Sequence, residues 1–440
     1  MLSRCKIYCI QSAFSNVTWS IFMLVKEETG NQNIAIVGAG IIGLAIGLKL
    51  QQQGHQVTLF DPNGVGNGCS KGNAGHIATE QVFPLATPGL IPQLPKMLLN
   101  PKSPVSIRWQ DLPSTMGWML RFLSRAKPSS TEPSTNAIKS LNSRAVKSWQ
   151  QLLDSIEKTD LIKMDGSLLT FESERLFERY QSTLEELEKH GVKYQVWTQK
   201  TIREQLPEIS RQVRHGVFFP ETGHTLDPYS ICIELYDAFE KQGGTIVNKT
   251  IDSLSQSGQV SVDSSKYSFD RIIVAAGVHS KPLVEQLTGI AVPIQAERGY
   301  HLMVDDKRQV LPFPISSADR KFIMTPMASG LRLAGTVEYA HVESPPNMKR
   351  AEMLYQQGDA MFESGLNPLK QQEKWMGNRP STVDSLPVID QICEGKVLLA
   401  FGHQHLGLTQ AAITADLILE LVEGKKTSVD LSPFTLKRFA

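Results

Sequence analysis

The chain has 440 residues, 41% hydrophobic and 20% charged, with 45 basic against 44 acidic side chains. A net charge of +1 gives no field that would draw nucleic acid, and the composition excludes a disordered or fibrous chain. The five cysteines (Cys5, Cys9, Cys69, Cys232, Cys393) make no C-x-x-C and no zinc spacing, so neither a disulfide framework nor a metal is expected. The length suits two domains or one two-lobed unit.

Residues 1–32 read as an extension. Arg4 and Lys6 precede an apolar run, residues 9–25, that Gln11, Ser12, Asn16 and Thr18 interrupt. No clear cleavage site follows, and Met23 is an alternative start. A targeting or anchoring function is the competing reading. No other stretch is expected to cross a membrane.

Asn33 to Val37 reads as a buried strand, followed by Gly38, Ala39, Gly40, Ile41, Ile42 and Gly43 in a G-x-G-x-x-G turn. Ile41, Leu44, Ala45 and Leu48 then recur at helical spacing, and QVTLF (56–60) reads as a second strand ending at Asp61 and Pro62. Gly38 permits the tight turn, Gly40 lets backbone approach a pyrophosphate, and Gly43 lets helix pack on strand. The helix start offers unpaired N–H groups to phosphates, and Asp61 can accept from an adenosine ribose, which argues against NADP. Strand, turn, helix, strand and acid in this order point to a dinucleotide, without choosing between FAD and NAD.

Residues 86–130 are rich in Pro and Leu, and MGWMLRFLSRAK (116–127) pairs apolar with basic residues. Either this is a cover packed on the dinucleotide domain, or it touches a membrane or an electron acceptor. Ile272 to Ala275 reads as a strand running into Ala276 and Gly277, small enough for backbone to pass a cofactor. GNRPSTVDSLPVID (377–390) places Arg379 beside the rigid Pro380. VLLAFGHQHLGLTQ (397–410) reads as strand, loop and helix start, with Gly402, His403, Leu406, Gly407, Leu408 and Thr409 in the turn. Backbone donors there can stabilise charge on a reduced flavin, which favours FAD over NAD.

These segments, with SKGNAGHI (70–77), ETGHTLDPYS (221–230), ERGYHLM (297–303) and DLSPF (430–434), stand in one order. Together the set resembles the FAD-dependent D-amino acid dehydrogenases of the D-amino acid oxidase and glycine oxidase superfamily, over about 33–440. The resemblance implies an α/β fold: a doubly wound Rossmann-like FAD domain (33–85, 210–290, 375–440) and a substrate domain on an antiparallel sheet (150–209, 291–374). Residues 86–149 are then a connecting segment.

The implied reaction is hydride transfer from the Cα of a D-amino acid to flavin N5, giving a 2-oxo acid and ammonia after hydrolysis. D-proline or D-hydroxyproline is a sub-case. The alternatives are a secondary-amine oxidase of the glycine or sarcosine type, a flavoprotein subunit of a larger complex, or an NAD enzyme. Implied partners are an amino-acid substrate and a quinone or other acceptor, in the cytoplasm or peripherally at the inner face of a membrane. By resemblance, Arg379 holds the substrate carboxylate through its planar double donor, with Arg298 and Tyr300 as further candidates. Met327 stands where several family members carry an arginine, and Arg332 lies further on. Ser70, Asn73, Ala74 and Gly75 line the cofactor, while His76 and His403 flank the flavin.

Overall fold

The computed structural model describes residues 30–89, 91–93, 103–305, 311–367 and 373–440. The reading of 1–32 therefore lies almost wholly outside the described residues.

Apolar, β-branched runs form a six-stranded sheet. Across it stand Val388–Ile392, Val397–Phe401, Arg271–Val274, Asn33–Val37, Gln56–Phe60 and Thr245–Val247. All neighbours are parallel except the first pair. Parallel strands need cover on both faces. On one side the helix Ile41–Gln52 packs against Gly407–Val422 and Pro228–Lys241, and Gly407–Val422 packs in turn on the long helix Pro128–Asp154. On the other side lie the helix Ser280–Thr288 and a small sheet of 253–254, 259–262 and 265–268.

The second sheet has nine strands and is mostly antiparallel. Its order is Glu373–Thr382, Ile294–Val304, Gly330–Tyr339, Phe322–Met327, Ile315–Ser317, Ser167–Phe171, His215–Phe219 and Gln195–Thr198, with Val105–Ile107 paired to Gly330–Tyr339. The α/β class with a second, antiparallel sheet is therefore observed. Two strands sit across the boundaries expected from sequence: 215–219 and 373–382 both join this second sheet. Each is a run whose partners are too distant in sequence to be read locally.

The connecting segment, whose residues 90 and 94–102 lie outside the described residues, divides its packing: its long helix covers the dinucleotide domain and its shorter one meets the second sheet. It holds the helices Leu112–Ser124 and Pro128–Asp154. Trp118 and Phe122 of the first pack with Tyr339 of the second sheet, and Trp118 Nε1 donates to the Ser381 carbonyl at 3.0 Å. Gln404–Val422 also has the length and hydropathy of a membrane span, contrary to the sequence reading, but it is mostly buried. It is apolar all round because it fills the core between other helices.

Candidate functional site

The fingerprint turn is tight. Gly38 takes a left-handed φ of +109°, and a Cβ there would lie 2.5 Å from the Ala275 carbonyl oxygen. A Cβ on Gly43 would lie 1.9 Å from the Gly38 oxygen. The turn is fixed by Asp61, whose carboxylate accepts from Ala39 N and Asn63 N, each at 2.9 Å. Four lone-pair sites on a carboxylate leave room for a ribose hydroxyl as well. Pro62 is exposed in the following turn, and half-buried Ile42 packs toward the core. Ala276 and Gly277 lie across from Gly38, Ala276 Cα being 2.9 Å from the position a Gly38 Cβ would take.

Residues 69–77 return to this turn. Ser70 Oγ accepts from Ile41 N at 3.0 Å, at the start of the fingerprint helix. Its hydroxyl proton can still be donated to a phosphate. Asn73 Oδ1 accepts from Gly75 N at 2.9 Å, and Gly75, with φ +76°, has no room for a Cβ against Met327 Cε at 2.8 Å. Met327 thus packs against the loop at the place where an arginine was compared. Arg332 is buried and donates to the Asn73 carbonyl at 2.5 Å, so it pins the loop.

A cavity opens between this loop, the strand Glu373–Thr382 and the start of the C-terminal helix. Ile41, Ser70, Gly72, Asn73, Trp375, Gly377, Arg379, Gln404, Gly407 and Leu408 are among its walls. Trp375, Gly377 and Arg379 alternate along the strand and therefore share its face. Among the described wall residues Arg379 is the one charged side chain. It is 23% exposed and meets the buried Glu297 at 3.3 Å. Gly299 gives its guanidinium space, since a Cβ there would lie 2.5 Å from Arg379. Burial pushes the Cys69 thiol up, and the nearby Arg379 pulls it down.

The walls fit FAD. Neither helix that starts at the cavity, Ile41–Gln52 or Gly407–Val422, is capped by its own N-cap residue, neither has an acid in its first turn, and at the first of them Ser70 takes the Ile41 N–H. The positive ends of two helices suit a pyrophosphate and the electron-rich edge of a flavin. The glycine cradle admits a flat, extended group.

Arg298 and Tyr300 are not at this cavity. Arg298 is fully buried, donating to Glu338 and to the carbonyls of Pro345, His341 and Ser344. Tyr300 donates to Glu338 at 2.7 Å and accepts from Asn347 N. Both are structural groups, because every contact they make is internal. His403 is likewise a core histidine: its Nε2 bonds Thr414 Oγ1 at 3.0 Å, and burial pushes its pKa down to about 3. Leu406 is buried, Leu408 accepts from Trp149 Nε1, and Thr409 Oγ1 accepts from Ala78 N. Gly402, at φ +83°, passes close to Thr382.

His76 is buried in a two-residue strand beside His224. Its Nε2 lies 3.8 Å from Glu80 Oε2, and neither atom has a hydrogen-bond partner. Burial lowers His76 to about 4 and raises Glu80 to about 7. Sequence reasoning missed Glu80, Glu297, Trp375, Gln404 and His405. Gln404 has a left-handed φ of +51°, unusual outside glycine, directly in the turn between two histidines.

Comparison with known proteins agrees with this geometry. A D-amino-acid oxidase of Bradyrhizobium diazoefficiens is 31% identical over 418 residues, 93% of this chain and 99% of the relative. A D-amino acid dehydrogenase of Vibrio vulnificus is 25% identical, across 89% of this chain and 96% of its own length. The glycine oxidase structure from Geobacillus kaustophilus superposes with a TM-score of 0.73 at 19% identity, across 93% and 99% of the two chains, which shows the shared fold. The model of the "FAD dependent oxidoreductase" family matches residues 33–421, from the fingerprint strand to the C-terminal helix, and the chain belongs to that family.

Proposed function

We propose that this FAD-dependent oxidoreductase oxidises a D-amino acid to the imino acid, which water converts to a 2-oxo acid and ammonia. The observation that carries the reading is Arg379. It is a lone, half-buried cation on the cavity wall, held on one side by Glu297 and open on the other. A planar guanidinium so held can grip a carboxylate through two parallel N–H donors. When bound, FAD supplies the acceptor for the hydride. Arg379 fixes the substrate so that its Cα–H has a defined orientation, and the apolar walls Ile41, Trp375 and Leu408 exclude water from it. The D configuration is supported by the names of the relatives above, as is the choice of an amino acid over another amine.

The test is anaerobic mixing of the holoenzyme with a panel of D- and L-amino acids, including D-proline and D-hydroxyproline, while the flavin absorbance is followed. D-Amino acids are expected to bleach the flavin. Bleaching by L-enantiomers alone, or by no amino acid, rejects the reading. Parallel assays with oxygen and a soluble quinone then assign the electron acceptor.

A further inference from the structure

The helix Leu112–Ser124 is apolar on both of its faces. On the inward face Trp118 and Phe122 are buried with Tyr339 and Val383. A helix that is apolar all round is normally enclosed on every side, and this one is not. Trp109, in the turn that leads into it, is 62% exposed, Met116 45% and Leu120 63%. With the exposed Pro113 they stand at i, i+4, i+7 and i+11, so they form one stripe along the outward face. Among the described residues, only Ile91, Val196 and Tyr267 are large hydrophobic side chains comparably open to solvent. Scattered single side chains of this kind are normal, whereas a continuous stripe marks a contact surface.

The charges beside the stripe are uneven. Arg121, Arg125 and Lys127 follow Leu120, and among the described residues none of them meets an acid. Asp111 is the one acid between residues 103 and 131, and Arg108 faces it at 3.5 Å. Glu343 borders the other end, in the groove beside Pro113. The face is therefore an apolar ridge with unpaired cations at the C-terminal end of its helix.

We propose that this face docks on a bilayer surface that carries anionic phospholipids. Leu120 and Met116 enter the acyl boundary, Trp109 sits at the level of the headgroups, and the three cations meet lipid phosphates. A second copy of the chain fits the face less well. The stripe is about 20 Å long and about 10 Å wide, roughly a quarter of the area each copy gives up in a stable dimer. A bilayer sets no such threshold, because each side chain enters it separately. On the inward side Trp118 donates to the Ser381 carbonyl, on the strand that carries Arg379. Docking thus sets that strand one helix diameter, about 10 Å, from the lipid.

The experiment is co-sedimentation of the full-length, FAD-loaded protein with vesicles of phosphatidylcholine alone or with an equal part of phosphatidylglycerol. The parent should bind the anionic vesicles, and far less so when salt is raised from about 0.1 to about 1 M and the screening length falls from about 10 to about 3 Å. Arg121→Gln and Lys127→Gln should each weaken binding about fivefold at low salt. Leu120→Glu should weaken it by at least about tenfold. Tyr267→Glu, an exposed position on the small sheet away from this face, should bind as the parent does. Flavin absorbance and thermal midpoint equal to the parent's establish that each variant is folded. A parent that ignores anionic vesicles overturns the assignment, as does undiminished binding by Leu120→Glu or equal loss in Tyr267→Glu. A parent that stays off vesicles but sediments as a dimer, which Leu120→Glu dissociates, gives the face to a second copy instead.

Discussion

Two arginine–glutamate pairs draw one member each from neighbouring residues of the strand Ile294–Val304. Arg298 meets Glu338 and Glu297 meets Arg379, both at 3.3 Å. Successive strand residues point to opposite faces, so residues 297 and 298 serve different neighbourhoods. Arg298 also donates from its two terminal nitrogens to three carbonyls, leaving only its Nε unpartnered, and Glu338 also accepts from Tyr300. Arg379 keeps an edge open to the cavity, and Glu297 Oε2 has no partner. The distance between the charges is therefore a poor guide to what a pair does. What each pair leaves unsatisfied separates a structural clasp from a binding group.

The sharpest way to break the comparison is to remove each arginine. Arg298→Ala takes the buried cation from Glu338 and a donor from each of three carbonyls. It should lower unfolding free energy by about 3–5 kcal/mol, read from denaturant midpoints. Arg379→Ala should instead weaken substrate binding by about 2–5 kcal/mol, read from the amino-acid concentration that half-saturates flavin reduction. Its effect on the denaturant midpoint should be clearly smaller than that of Arg298→Ala, because Arg379 is partly exposed. Equal loss of stability in the two variants would erase the distinction.

The same contrast explains what the sequence could show. The fingerprint, Asp61 and the Gly407–Val422 helix were legible because their contacts are local or recur at a fixed period. Arg379 was legible as a cation beside a rigid proline, through the resemblance. Its partner Glu297 was not, because the pair spans 82 residues and forms only when two strands align. Arg298 and Tyr300, in the same ERGYH segment, were read as binding groups for the mirror-image reason. Sequence shows that an arginine is present, not which face of a strand carries it. His403 and His405 differ by one strained residue, and only the fold shows which one is bonded to Thr414.

Glu80, like Glu297, is a buried acid whose Oε2 has no hydrogen bond, but the basic group it faces is a histidine rather than an arginine. Its side chain is 11% exposed and faces His76, with Tyr180 near by. Burial raises its pKa from 4.5 to about 7. A carboxyl that holds its proton more tightly when folded favours the fold only while protonated. Its contribution is neutral below pH 4.5, and stability falls as pH rises from there to about 7. His76, lowered from 6.5 to about 4, has the opposite slope and remains in the variant. The difference between parent and Glu80→Gln therefore isolates the acid. The variant should match the parent near pH 4 and exceed it by up to about 2–3 kcal/mol above pH 7, measured as denaturant midpoints across that range. A variant less stable than the parent at pH 8 would mean that Glu80 is ionised and partnered in the fold.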